Sequence, residues 1–174
     1  MGMPFKRVLI SNTGLASTTS TIAAAASITT KLTQGFPTGD ALLHKMGLRW
    51  SGNLNLVTTT AGTIITRGGL IDIAGVWLST PQHGSIINGV DALSLHNISY
   101  LQRGTRDLNV DINTAGGTST PTFEYFIPFT FRDRFAARPE DSALDMYKVS
   151  YMELVLSHRG ANQFISGGTY TTET

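Results

Sequence analysis

The sequence contains no cysteine and very little charge. The absence of cysteine among its 174 residues excludes disulfide bonds, thiolate nucleophiles and cysteine-ligated metal sites. Charged residues make up 14% of the chain, against about 25% in ordinary soluble domains. Because charge keeps copies of a soluble protein apart, this deficit favours a surface that neighbouring subunits cover. A β-protein rich in glycine and threonine has the same composition, so this alternative stays open.

Long apolar runs and the familiar catalytic motifs are also missing. No apolar run approaches the ~18 residues that cross a bilayer, and the N-terminal apolar segment is too short to predict a signal peptide. The net charge of +1 gives no electrostatic basis for binding nucleic acid. The histidines lie far apart, and no nucleophile-elbow, phosphate-loop or dinucleotide motif is present. We therefore expect no enzyme activity, no cofactor and no metal site.

The strongest pattern is an alternation of large apolar residues within residues 122–133. Successive side chains of an extended chain point to opposite faces, so every second residue shares one face. Five alternating residues are predicted to form a core strand: Phe123, Tyr125, Ile127, Phe129 and Phe131. Burial of each is worth roughly 1.5–3 kcal/mol. Pro128 cannot donate a hydrogen bond to a neighbouring strand, which predicts an edge position, a bulge or a gap in pairing.

Short alternating segments separated by turn residues fill most of the remaining sequence. Gly68-Gly69 predicts a hairpin turn, and Pro139 with the acids behind it predicts one short helix in a loop. Residues 12–27 are small, polar and uncharged, which predicts a flexible arm or a long loop. Strands are predicted at residues 5–11, 27–33, 48–60, 63–67, 70–79, 92–102, 106–113, 147–157 and 164–172. Eight to ten short strands in a single domain of residues 1–174 predict an all-β sandwich or barrel.

Polar residues occupy every second position of residues 107–111. Asp107, Asn109 and Asp111 have the spacing of the start of a calcium-binding loop. Ile112, however, stands where that loop needs glycine. The alternation therefore predicts a strand whose solvent-exposed face carries these three polar residues, with Val110 and Ile112 on the inner face.

Three aromatic residues support an alternative function. Trp50, Trp77 and Tyr100 could form a stacking platform for a sugar, as in a β-sandwich carbohydrate-binding or fibre module. Core and subunit-interface positions are the commoner use of such residues.

The segment of residues 127–156 resembles a known strand–loop–strand pattern. It consists of IPFTFR at residues 127–132, a connecting loop, and YKVSYMELVL at residues 147–156. This is similar to a pattern in the jelly-roll major capsid proteins of tailless icosahedral viruses with an internal membrane. The chain length, the absent cysteine and the low charge most resemble the single-jelly-roll branch. That branch includes phages of Thermus and builds its shells from a small and a large capsid protein.

The resemblance implies a jelly roll of about eight strands that serves as a structural virion protein of a bacteriophage. The implied partners are further copies of the chain, forming dimers or larger oligomers, a second and larger capsid protein, and the internal viral membrane, with no specific nucleic acid. The implied localisation is the capsid, assembled in the host cytoplasm. Strands at the ends of the chain can present an edge that pairs with another chain. We therefore expect subunit contacts at Phe5, Val8, Ile10, Phe164, Ile165 and Tyr170.

Overall fold

The computed structural model describes residues 26–32, 42–43, 45–53, 56–60, 62–104, 109–113, 117–120, 122–131, 143–147, 149–160, 163–167 and 169–172. The strands are β1 (Ala26–Leu32), β2 (Leu42–Leu43), β3 (Lys45–Asn53), β4 (Leu56–Thr60), β5 (Thr63–Ile64), β6 (Ile73–Thr80), β7 (Gly84–Val90), β8 (Thr118–Ser119), β9 (Thr122–Thr130), β10 (Leu144–Asp145), β11 (Met152–His158), β12 (Ile165–Ser166) and β13 (Thr169–Thr172). The helices are α1 (Gly68–Asp72) and α2 (Ala92–Arg103). The predicted strand at residues 5–11, most of the predicted arm and the start of the predicted helix at Pro139 lie outside the described residues.

Most of the strands belong to one long antiparallel hairpin. β1 pairs with β11, β2 with β10, β3 with β9 and β4 with β8. These pairs are nested in the sequence, as in a single hairpin with two long arms. The open end of this hairpin lies in a four-stranded sheet of order β1-β11-β6-β7, whereas β3 and β9 form a separate sheet. A long hairpin whose parts lie in different sheets is the arrangement of a jelly roll, and the predicted fold class is confirmed.

Helix α2 corrects the prediction of a strand at residues 92–102. Asp91 accepts a hydrogen bond from the backbone N–H of Ser94 at 2.8 Å and caps the first turn. Gly104 ends the helix in a left-handed conformation with φ of 72°. Ala92, His96 and Ser99 are buried at the i, i+4, i+7 spacing of a helix. α2 packs against β9 and β6 and thereby bridges the two sheets.

The glycine pair at residues 68–69 begins helix α1 and does not form the predicted hairpin turn. A Cβ atom on Gly68 would lie 2.6 Å from the carbonyl oxygen of Gln163, and one on Gly69 would lie 2.0 Å from the ring of Tyr125. These two residues are therefore glycine because other parts of the chain pack directly on their backbone. The strand predicted from residue 70 starts at Ile73 instead.

An aromatic cluster of the core is centred on Phe123. The ring centroid of Phe123 lies 4.7 Å from that of Phe164 and 6.0 Å from those of Trp50 and Tyr125. These distances are typical of favourable aromatic pairs. The core is completed by aliphatic side chains of α1, β6, β9 and β11, namely Leu70, Ile73, Val76, Leu78, Ile127, Met152, Leu154 and Leu156.

The central strand β9 buries Phe123, Tyr125 and Ile127, while Phe131 beyond its end is partly buried against the same core. Phe129 pairs with Met46 through the backbone. Pro128 lies opposite Gly47 of β3, and the second edge of β9 carries a single described bridge, between Val110 and Glu124. A proline fits here because this strand has little ladder pairing on one side.

Candidate functional site

The described residues contain no group of three histidine, aspartate or glutamate side chains that could hold a metal ion. No helix among them is long and apolar enough to cross a membrane. The polar motifs noted in the sequence, the free strand edges and the outer surfaces of the sheets are therefore the places to consider.

The Asp107, Asn109, Asp111 motif supports the fold where it is described. Asp111 accepts hydrogen bonds through one oxygen from the backbone N–H of Arg67, at 3.0 Å, and from the hydroxyl of Tyr125. Asn109 accepts the backbone N–H of Phe126 at 3.3 Å. The predicted strand faces are wrong at two positions, because Asp111 is partly buried in these contacts and Val110 is 44% exposed.

Tyr125 and Arg67 show why this oxygen of Asp111 is needed. Tyr125 is fully buried, and its hydroxyl requires a hydrogen-bond acceptor inside the protein. Burial, reinforced by the bond to Asp111, raises the pKa of Tyr125 far above its usual value. Arg67 has a left-handed conformation with φ of 60°, which is uncommon for a residue with a side chain. The bond to Asp111 helps to hold that conformation.

Asp72 is a buried carboxylate at the end of α1. Its Oδ1 atom accepts the backbone N–H groups of Gly160, at 2.7 Å, and Arg159, at 3.1 Å. Its Oδ2 atom has no hydrogen-bond partner among the described residues. Removal from water raises the pKa of this carboxyl, whereas the two N–H groups and nearby His158 oppose that change. Asp72 thus holds the chain in place where it leaves β11.

The three aromatic residues of the predicted sugar platform lie in different surroundings. Trp50 is only 6% exposed and packs in the core beside Phe123 and His158, so it cannot bind a sugar. Tyr100 is partly buried on α2. Trp77 is partly exposed on β6, between the fully buried Val76 and Leu78, so its ring points away from the core. Trp50 is therefore excluded from a surface platform, whereas Trp77 and Tyr100 are both of intermediate exposure and lie on different elements.

The long free edges of the described sheets each carry a feature that opposes pairing with another strand. β1 has Lys31, and β3 has Lys45 and Arg49. β7 is uncharged, but its register with β6 shifts twice, once beside Gly89, which has φ of 67°. Charges and bulges on edge strands oppose edge-to-edge association. The second edge of β9 is partly occupied by residues 109–110, because Val110 and Glu124 exchange backbone hydrogen bonds and Asn109 accepts the N–H of Phe126.

The outer face of the four-stranded sheet carries two charged residues of opposite sign. Met152, Leu154 and Leu156 of β11 point into the core, so the residues between them point outwards. Cross-strand partners then place three rows on the outer face: Thr29, Val155, Trp77 and Asn88; Lys31, Glu153, Ser79 and Ser85; and Ser27, Ser157 and Gly75. Lys31 and Glu153 are the charged members of this face.

Two of the predicted subunit-contact residues lie inside the protomer. Phe164 and Ile165 are 1% and 3% exposed and belong to the core. Ile165 lies on β12, which pairs with β5, and the backbone of Phe164 packs against Gly68. This corrects their placement at a subunit contact. Tyr170 lies on β13, the edge strand of the sheet β13-β4-β8, and pairs with Thr58. Phe5, Val8 and Ile10 lie outside the described residues.

Comparison with known proteins finds a likeness among solved structures. No protein-family model matches the chain, and no curated protein matches it. The crystal structure of the STIV MCP, a major capsid protein, matches with a TM-score of 0.45 and 12% sequence identity. The match covers 80% of this chain and 45% of that chain, so this chain spans less than half the length of the STIV protein.

Proposed function

We propose that this chain is a structural subunit of a viral shell, in which copies of it pack beside one another. The observation that carries the proposal is the outer face of the four-stranded sheet, where two of the eleven outward residues are charged, one cation and one anion. A monomeric protein normally places charge on such a face for solubility. A face that a neighbouring subunit covers has no such need.

The protected sheet edges fit the same role. A closed shell needs contacts of fixed geometry, because strand addition along an open edge continues without limit and produces fibres. Lys31 on β1, the two register shifts of β7 and the charges of β3 oppose that outcome. The sheet faces and the short edge strand β13 remain as surfaces for contacts of defined stoichiometry.

The finer parts of the proposal rest on the resemblance of residues 127–156 to single-jelly-roll capsid proteins. They are a second and larger capsid protein as partner, an internal membrane beneath the shell, a phage virion as location and assembly in the host cytoplasm. In this role the chain needs no catalytic residue and no cofactor. Tyr170 and the short edge strand β13 remain a proposed subunit contact.

The proposal is tested by the mass of the purified protein as its concentration rises. Mass photometry at low concentration and sedimentation velocity at high concentration should show reversible dimers or larger closed oligomers. A protein that stays monomeric up to its solubility limit would contradict the role of a self-packing shell subunit.

A sugar-binding module is the second candidate, and the position of Trp77 favours it. The indole lies over the backbone of Gly75 and Gly89, where a Cβ atom would be 2.4 Å and 3.2 Å from its nearest atoms. An aromatic ring that lies flat on a sheet can stack against a sugar ring. A glycan array that compares the wild type with Trp77→Ala tests this function. Trp50→Ala is unsuitable, because Trp50 belongs to the core.

A further inference from the structure

Two buried ionisable side chains are neighbours where strand β11 ends. Asp72 is fully buried at the end of α1, and His158, the last residue of β11, is 9% exposed. His158 is the cross-strand partner of Ile73, the residue that follows Asp72. The next residue, Arg159, donates its backbone N–H to the carbonyl oxygen of Asp72 at 2.9 Å. The pairing of these two segments therefore holds the carboxyl and the imidazole close together inside the protein.

Each of the two side chains has one polar atom without a hydrogen-bond partner among the described residues. These atoms are Oδ2 of Asp72 and Nδ1 of His158. Buried polar groups are normally hydrogen-bonded, so such a pair of neighbouring atoms calls for a physical explanation. A carboxylate oxygen can only accept a hydrogen bond, whereas both nitrogens of a protonated imidazole donate. One proton taken up by His158 would therefore allow Nδ1 to donate to Oδ2 and satisfy both atoms.

The charges around the pair act in the same direction. Removal from water raises the pKa of Asp72, whereas charge on His158 lowers it, so the two groups are electrostatically coupled. Arg159 also acts on Asp72, and it attracts Asp91 as well. The other elements that reach His158 contribute uncharged residues, namely Trp50 of β3, whose ring centroid lies 6.4 Å from that of the imidazole, and Ile73 of β6.

We propose that Asp72 and His158 form a proton-dependent contact, in which protonated His158 donates from Nδ1 to Oδ2 of Asp72 and fastens the end of β11 to α1. Asp72 already accepts the N–H groups of Arg159 and Gly160, so the contact would hold three consecutive residues. The folded pair then binds its proton more tightly than the unfolded chain does. Its contribution to stability therefore grows as pH falls through the range in which histidine titrates, until the carboxyl itself is protonated. The contact lies within one copy of the chain and does not depend on the proposed function.

The fluorescence of Trp50 tests the contact in a Trp77→Phe background, where Trp50 is the remaining tryptophan. A protonated imidazole quenches a nearby indole more strongly than a neutral one does. We therefore expect Trp50 emission to fall reversibly between pH 8 and pH 5. His158→Gln should abolish this change, whereas His83→Gln, at an exposed histidine, should retain it.

Substitution of the acid tests the coupling. Asp72→Asn should move the midpoint of the fluorescence change to lower pH by about one unit or more, because it removes the nearby negative charge. Asp145→Asn, at an exposed carboxylate, should leave the midpoint unchanged.

NMR of the histidine ring nitrogens gives the same test in the wild-type protein, without a substitution in the core. Nδ1 of His158, assigned through its proximity to Trp50, should become protonated over the pH range of the fluorescence change, and its N–H should exchange slowly with solvent. An imidazole that stays neutral until the protein unfolds would overturn the proposal. A fluorescence change that persists in His158→Gln, or a midpoint that Asp72→Asn leaves in place, would overturn it as well.

Discussion

Asp72 and Gly160 are joined by a buried hydrogen bond of 2.7 Å between a carboxylate oxygen and a backbone N–H. The same carboxylate oxygen accepts the N–H of Arg159, so one acidic side chain positions two consecutive peptide groups after β11. The carboxylate is buried away from water. Its hydrogen bonds only partly offset the cost of that desolvation, because Oδ2 has no partner among the described residues. This relationship makes a pH-dependent contribution to stability.

Replacement of Asp72 by asparagine should alter how stability varies with pH. Burial raises the pKa of Asp72 in the folded state, so its contribution is fully present below the unfolded pKa of about 3.9 and is lost as pH rises through the folded pKa. Asp72→Asn retains an oxygen for the two N–H groups and removes the buried charge. The melting temperature of Asp72→Asn relative to wild type should therefore increase from pH 4 to pH 8. Exposed Asp145→Asn is the control, and parallel pH profiles for wild type and Asp72→Asn would contradict the prediction.

Tyr125→Phe should destabilise the protein by about 1.5–3 kcal/mol, the value of a hydrogen bond to a charged group. The variant leaves Asp111 with the N–H of Arg67 and removes the hydroxyl that donates to it. Urea unfolding measures the loss, and Tyr147→Phe, at a half-exposed tyrosine, is the control. An equal effect of the two substitutions would argue against the Tyr125–Asp111 bond.

The same tyrosine should produce a loss of stability at alkaline pH. Its pKa is raised in the folded state, so the stability it contributes is present below the unfolded pKa of about 10 and is lost as pH rises above that value. Thermal unfolding between pH 8 and pH 11 should show a steeper decline for wild type than for Tyr125→Phe. Identical slopes would contradict the burial of an un-ionised phenol at this position.

Gly69→Ala should be more harmful than Gly84→Ala. A Cβ atom at residue 69 would lie 2.0 Å from the ring of fully buried Tyr125, which cannot move without disturbing the core. Overpacking of this kind costs typically 1–3 kcal/mol or more. Gly84 has open space around it and a φ of 65°, so alanine there adds backbone strain alone, about 1–2 kcal/mol. Equal losses in denaturant unfolding would show that residue 69 tolerates a side chain.

Removal of the C-terminal strand should separate folding from association. Deletion of residues 169–174 removes β13 and retains the buried Phe164 and Ile165, whereas deletion from residue 164 also removes these two residues. Loss of two buried apolar side chains costs roughly 3–6 kcal/mol at 1.5–3 kcal/mol each. We expect the shorter deletion to fold and the longer one to be largely unfolded by circular dichroism. A cooperative unfolding transition in the longer deletion would contradict the core position of these residues.

The sequence predicts strands best where the pattern of side chains is strict. Alternation in residues 147–157 predicts that Met152, Leu154 and Leu156 share one face, and the structure buries these three residues. It fails in residues 92–102, where helical spacing and the capping residues Asp91 and Gly104 outweigh the apolar content. The prediction from sequence also fails at Gly68-Gly69. The residue type alone does not distinguish a glycine that is needed for close packing from one that is needed for a turn.

By itself the sequence determined the all-β class and the core strand, because two-residue periodicity and turn residues are local properties of the chain. Tertiary structure alone decided that β1 lies beside β11, that Asp111 meets Tyr125, and that Phe164 belongs to the core while Trp77 faces outwards. These outcomes depend on which distant segments meet. Which segments meet depends on the burial of apolar surface and the hydrogen bonding of polar groups across the whole domain. The sequence of one segment does not contain that information.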